Sequence, residues 1–283
     1  MIKNYLLVAF RRLRRRPGTT ALHVGGLAVG LLCCLLALLY VQDERSFDRH
    51  HEHAERIVQL AQARQLGDMT INLMSMDEDM VAALRSEVPT AEAVTALDDE
   101  SGIARRPGGE GVTVEELAFA DSAYFDVFTL PRVRGDATEA FRAPNEVILT
   151  ESMAVRIFGD PDAGGADPMG QPLEVLRTGF RIKDDTPLAL TVVGVAADPP
   201  ATSTLAYDLL ISGLTPVTYR SGGSGARLAG GGPTFVRMRA EADSAALRTG
   251  VAALLDTDKG GFGTYARARA IALLALPRTA RAG

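Results

Sequence analysis

The sequence predicts an α+β protein carried on one N-terminal transmembrane helix, and three observations lead there. A long run near the start contains no charged side chain. The remainder mixes segments of period-two apolar alternation with segments of helical periodicity. Those segments follow no regular βαβα rhythm, which separates α+β from a doubly wound sheet.

The uncharged run comes first. No Asp, Glu, Lys or Arg stands between Arg16 and Asp43, a stretch of 26 residues. About 20 helical residues, rising ~1.5 Å each, cross a hydrocarbon core of ~30 Å. The apolar region of a secretory signal is only ~7–15 residues long and ends at a small-residue cleavage site. Here the run ends in ALLYVQDE, and no lipobox precedes Cys33. A retained helix over 19–41 follows. Residues 1–16 contain Lys3, Arg11, Arg12, Arg14, Arg15 and Arg16 and no acid, whereas the far flank opens with Asp43 and Glu44. The excess of basic residues predicts a cytoplasmic N-terminus, with everything after Tyr40 outside.

Within the cytoplasmic segment 1–18, Ile2, Leu6, Phe10 and Leu13 recur at helical spacing. A basic amphipathic helix on membrane lipid fits them, and plain topology signalling accounts equally for the charge. Gly26 and Gly30 form a G-x-x-x-G pair, a candidate helix-packing face, although glycine is also common in membrane helices.

The net charge of −5 divides into +6 over residues 1–16 and −11 over the rest, which argues against nucleic-acid binding by the exported part. Cys33 and Cys34 are the only cysteines and lie in the apolar run, so the exported part holds together without disulfides.

Beyond the helix, residues 43–55 read as its continuation or its turn onto a domain. RIVQLAQAR is a first strand. In MSMDEDMVAALRSEVPTAEAV the residues Met76, Met80, Val81 and Leu84 share one face of a helix ended by Pro89. AVTALDD and VTVEELAFAD are strands around the turn RRPGGEG, and DSAYFDVFTLP is a helical turn rich in aromatics. NEVILTESMAVRIFG is a strand and then a helix, with Thr150 placed to cap its start and Gly159 to end it. GQPLEVL, ALTVVGVAADPP, YDLLISG and GGPTFVRMRA are further strands, and DSAALRTGVAALLDTD is a late helix opened by Asp243 or Ser244. The expected core gathers around Phe125, Phe128, Val147, Ile148, Phe158, Val192 and Val195.

Catalytic chemistry is not visible. Besides His23, the histidines are His50, His51 and His53, so a Ser-His-Asp set has one patch to draw on. His50 and His53 stand one helical turn apart near Asp48 and Glu55. That spacing suits a metal, but an exposed polar helix face needs none, and no metal or other cofactor is expected. The pairs Asp98-Asp99 and Asp184-Asp185 fall in predicted turns, where Asp bonds its own backbone. The glycine-rich stretch 219–233 lacks the Lys-Ser or Lys-Thr of a phosphate-binding loop and reads as a surface excursion.

Together, the basic run, the Gly-Leu-Ala-x-Gly-Leu core at Gly26–Leu31, and Asp43, Glu44, Ser46, Asp48, Arg49, His51, Glu52, Ala54, Arg56 and Ile57 resemble the opening of ABC transporter permeases of the MacB/FtsX type. FADSAYFDVFTLPRVRGD, PNEVILTESMAVRIFGD, DPMGQPL and LTVVGVAADPPATSTLAYDLLISG resemble the family's periplasmic core domain. The resemblance implies a porter/sabre-like α+β domain over 42–265 on the outer side of a bacterial inner membrane. It also implies an ABC ATPase on a separate chain, a possible periplasmic adaptor, and structural rather than catalytic roles for the matched residues. Such permeases continue with three more membrane helices, so residues 266–283 read as a tail and the chain as the N-terminal half of a permease unit. The alternative is a stand-alone membrane-anchored binding or sensor module, which would need a concave pocket with convergent polar groups.

Overall fold

The computed structural model describes residues 17–44, 46–66, 69–73, 76, 78–135, 140–160, 163–178, 186–218, 224–226, 232–242, 244–257 and 269–272. The chain divides into two units, Met1–Phe47 and Asp48–Gly283. The first unit holds helix α1 (Pro17–Glu44), opened by a proline whose missing N–H costs nothing at a helix start. The segment Thr20–Asp43 is long and apolar enough to cross a membrane, with a mean hydropathy of 2.5.

In chain order the second unit contains β1 (Ile57–Leu66), β2 (Met69–Leu73), α2 (Glu78–Glu87), β3 (Ala91–Ala96), β4 (Asp98–Arg105), β5 (Val112–Ala120), α3 (Tyr124–Val127) and β6 (Arg132–Arg134). There follow β7 (Glu146–Thr150), α4 (Glu151–Phe158), β8 (Pro172–Thr178), β9 (Leu188–Ala196), β10 (Leu209–Ser212), β11 (Pro216–Thr218), β12 (Ser224–Ala226), β13 (Thr234–Met238), α5 (Ser244–Thr257) and β14 (Arg269–Ala272).

One antiparallel sheet has the order β14-β1-β13-β3, with β2 paired to the far half of β1. Strand side chains alternate between faces, and this sheet uses both. Val58, Leu60, Val94, Val236 and Met238 face α2 and α5, where they bury Val81, Leu84, Leu247 and Val251. Ile57 and Phe235 face the other way, into an aromatic cluster.

The second sheet runs β6-β9-β7-β10-β5-β4-β8, and β8 returns to pair with β9. Six strands therefore close into a barrel, which leaves few unpaired edges. Its interior holds Leu117, Phe119, Val147, Leu149, Leu173, Val175, Leu190, Val192, Leu209 and Ile211, joined by Met153, Ile157 and Phe158 of α4. The Thr150 hydroxyl accepts the Met153 N–H at 3.3 Å and caps α4, and Gly159 ends it at φ 87°. The alternate residues Ala118, Ala120, Ile148 and Leu210 leave the barrel interior for the aromatic cluster. That cluster is built on α3. Phe128 lies 5.0 Å from Phe235 of the first sheet and 5.2 Å from Tyr124, ring centre to ring centre. It joins the two sheets into one body.

Several expectations change. Of the two readings of residues 43–55, the turn holds: helix α1 stops at Glu44, and the chain then passes through turns to a short 3-10 helix at Ala54–Arg56. Asp98 and Asp99 open strand β4 instead of sitting in a turn, and Asp98 is buried. The pair Asp184-Asp185 lies outside the described residues. Within the glycine-rich stretch, Ser224–Ala226 pairs with β11. Arg269–Ala272, read as tail, pairs with β1, because the edge of β1 opposite β13 is open to a further strand. Phe125 is half-buried, whereas Phe128 is 2% exposed.

Candidate functional site

Helix α1 exposes an apolar surface on every side, with Leu22, Leu27, Leu32, Leu36 and Leu39 all open. A side chain added at Gly26 or Gly30 would meet nothing within 4 Å, so this face is free for another helix.

A connected polar arrangement follows the helix in the chain. Asp48 adopts φ 58°, a left-handed conformation that Asp tolerates better than most residues. Its N–H donates to the Thr202 carbonyl at 2.9 Å. Its carboxylate accepts the Thr204 N–H at 2.8 Å and the Thr204 hydroxyl at 2.5 Å. His51 is buried, and its Nδ1 accepts the Thr129 N–H at 3.3 Å. The Thr129 hydroxyl in turn accepts the Glu52 N–H at 2.8 Å. Residues 48–52 are thereby tied to two loops far away in sequence, after α3 and after β9. Burial is the main cause that lowers the pKa of His51 to about 4, and the neighbouring His50 adds to it. Burial also lowers His50, opposed by Asp48.

A second network fastens the first sheet. Glu92 accepts from Arg56 and from Arg237, each at 3.1 Å. Arg85 pairs with Asp121, which also accepts the Thr95 hydroxyl at 2.8 Å. In the barrel, Arg177 and Glu100 form a buried ion pair at 3.4 Å, and the Tyr207 hydroxyl donates to Asp99 at 2.9 Å. Burial, reinforced by Asp99, raises the Tyr207 phenol far above its ordinary range. Each of these charges has a structural partner.

Two cavities lie among the described residues. One of about 190 Å³ is lined by His53, Phe125, Thr129 and Arg237, and one of about 30 Å³ lies between Tyr124 and Tyr207. Pockets for small molecules hold roughly 300–1,000 Å³.

Such a domain, two sheets joined through an aromatic cluster behind an apolar helix, has known counterparts. The family model of the MacB-like periplasmic core domain matches residues 20–254, from the helix through α5. This chain belongs to that family. The periplasmic region of MacB from Actinobacillus actinomycetemcomitans is 18% identical, with a TM-score of 0.51 over 75% of this chain and 88% of that one. The extracellular domain of the noncanonic ABC-type transporter YknZ from Gram-positive bacteria is 17% identical, with a TM-score of 0.51 over 76% and 99%. No curated protein matches the chain. The chain thus carries the N-terminal part of a MacB/FtsX-type permease, an apolar helix followed by a periplasmic core domain. A MacB-like core domain is not itself catalytic, and its family implies association with an ABC ATPase.

Of the residues singled out in the sequence, Phe128, Val147, Ile148, Phe158, Val192 and Val195 are all buried. They fall into two clusters: Val147, Phe158, Val192 and Val195 in the barrel, and Phe128 and Ile148 in the aromatic junction, with half-buried Phe125 against it. His50 does not meet His53 across a helical turn. The structure brings it to Asp48 and His51 instead. Sequence reasoning missed Thr129 and Thr204, because nothing local marks a partner 78 or 156 residues away.

Proposed function

We propose that this chain is a permease component of an ABC transporter, in which the domain after α1 transmits ATP-driven movement to periplasmic cargo or partners. The span α1 lies in the bacterial inner membrane with its N-terminus in the cytoplasm, where residues 1–18 meet anionic lipid. ATP is hydrolysed on a separate ATPase chain, and a periplasmic adaptor docks on the domain. The observation that carries the reading is the family match, which runs from the helix into α5 over residues 20–254. The geometry is consistent with it: the described polar groups act as clamps within one body, and rigid bodies transmit displacement. Among the described residues these two cavities, of about 190 and 30 Å³, fall short of small-molecule size.

The test is co-purification from native membranes, using the full gene product that contains these residues. Stoichiometric recovery of a P-loop ATPase, with ATPase activity that changes when the core domain is removed, is the expected result. Recovery without any such ATPase, together with saturable binding of a small molecule, would favour the sensor module.

A further inference from the structure

We propose that Asp48, His50 and His51 bind one first-row divalent transition cation of the Zn2+ class, at the point where the chain enters the core domain. One ligand atom from each of the three residues lies within 4.8 Å of the others. Two donors about 2.1 Å from one ion are at most about 4.2 Å apart, so modest side-chain rotation closes the set. Two imidazoles and a carboxylate suit Zn2+ and its neighbours better than the hard cations Ca2+ or Mg2+.

Unmet bonding at the cluster is the second observation. Five buried side-chain nitrogen or oxygen atoms among the described residues lack a hydrogen-bond partner, and two of them, Nδ1 of His50 and Nε2 of His51, sit here. His51 is only 6% exposed, so a partnerless ring nitrogen there has little access to water. Leaving such a group unsatisfied is costly, and buried polar atoms of this kind need an explanation. The two rings lie 3.9 Å apart, centre to centre, at an interplanar angle of 43°.

The supporting shell is already in place. Both Asp48 oxygens are held by Thr204, which fixes the carboxylate while leaving each oxygen a lone pair. Binding costs one weak contact. With Nδ1 of His51 accepting from Thr129 at 3.3 Å, the neutral ring carries its proton on Nε2. A cation on Nδ1 replaces the Thr129 N–H, and a cation on Nε2 sends the ring proton to Nδ1. Either way the Thr129 amide loses its acceptor, and its resonance shifts. Three protein donors leave at least one coordination position for a further ligand.

The experiment titrates Zn2+ into the untagged full chain in detergent, in a Cys33→Ser, Cys34→Ser background that removes the other soft ligands. Calorimetry should show one saturable site per chain, and Co2+ should give a visible absorption band. His50→Ala and Asp48→Asn should each weaken binding at least about tenfold, while His53→Ala stays within about twofold. Circular dichroism checks that each variant is folded, and half-buried His50 is the substitution the fold tolerates most readily. Absence of saturable binding would overturn the proposal. So would binding that survives in a folded His50→Ala variant, or binding lost equally in His53→Ala.

Discussion

Phe128 is the ring through which the two sheets meet, so its removal is the sharpest probe of the packing. It is 2% exposed and lies 5.0 Å from Phe235, 5.2 Å from Tyr124 and 5.1 Å from His51. Phe128→Ala removes a fully buried ring from between partners held by separate sheets, which cannot all collapse into the gap. Changes of this kind cost ~3–5 kcal/mol. Phe125 is half-buried and touches the cluster from its rim, at 5.3 Å from Phe141, so Phe125→Ala should cost about 1–2 kcal/mol. At about 2–4 °C per kcal/mol for a domain of this size, the first variant loses roughly 10 °C in Tm and the second roughly 3–5 °C. Thermal melts of the domain, followed by circular dichroism, measure both. Equal losses, or a Phe128→Ala melt within error of the parent, would refute the argument that this ring is the hinge of the core.

Three more outcomes follow from the same contacts. Asp48→Ala leaves the Thr204 N–H and hydroxyl without their acceptor and should cost ~2–3 kcal/mol, read as a shift in the urea midpoint without change of slope. His51 is neutral in the folded domain, with a pKa of about 4 against an ordinary 6.5, so the unfolded chain takes up a proton first as pH falls. Its contribution is intact above pH 6.5 and is lost toward pH 4, on the order of 2 kcal/mol, and with a chelator present His51→Gln should flatten that slope. Thr150→Ala removes the cap on Met153 N–H and should lower stability by ~1 kcal/mol in the same melts.

Local patterns in the chain revealed local structure. The Thr150 cap and the Gly159 stop bound α4 because a cap acts within a few residues. The alternation in β1 shows as Val58 and Leu60 against Ile57, although two-sided burial hides which face is core. Closure of the barrel was not legible, since it depends on β8 meeting β9 and on β5 running parallel to β10, pairings that no periodicity encodes. Asp98 and Asp99 misled for a similar reason. Carboxylates favour turns, but here tertiary partners such as Tyr207 hold them at the start of a strand. The polar cluster at residues 48–51 was visible as a set of residue types. Its geometry was not, because the sequence left open whether residues 43–55 continue the helix or turn, and the chain turns.

In the proposed topology one helix carries this core domain on the outer face of the cell membrane, with the N-terminus inside. Cysteine labelling with a membrane-impermeant maleimide in intact spheroplasts tests it most directly, in the Cys33→Ser, Cys34→Ser background. Arg106 lies in the exposed turn between β4 and β5, and Asn4 in the basic segment before α1. Arg106→Cys should be labelled in intact spheroplasts, and Asn4→Cys only after lysis. Labelling of Asn4→Cys from outside, with Arg106→Cys protected until lysis, would invert the topology and overturn the proposed placement of the domain.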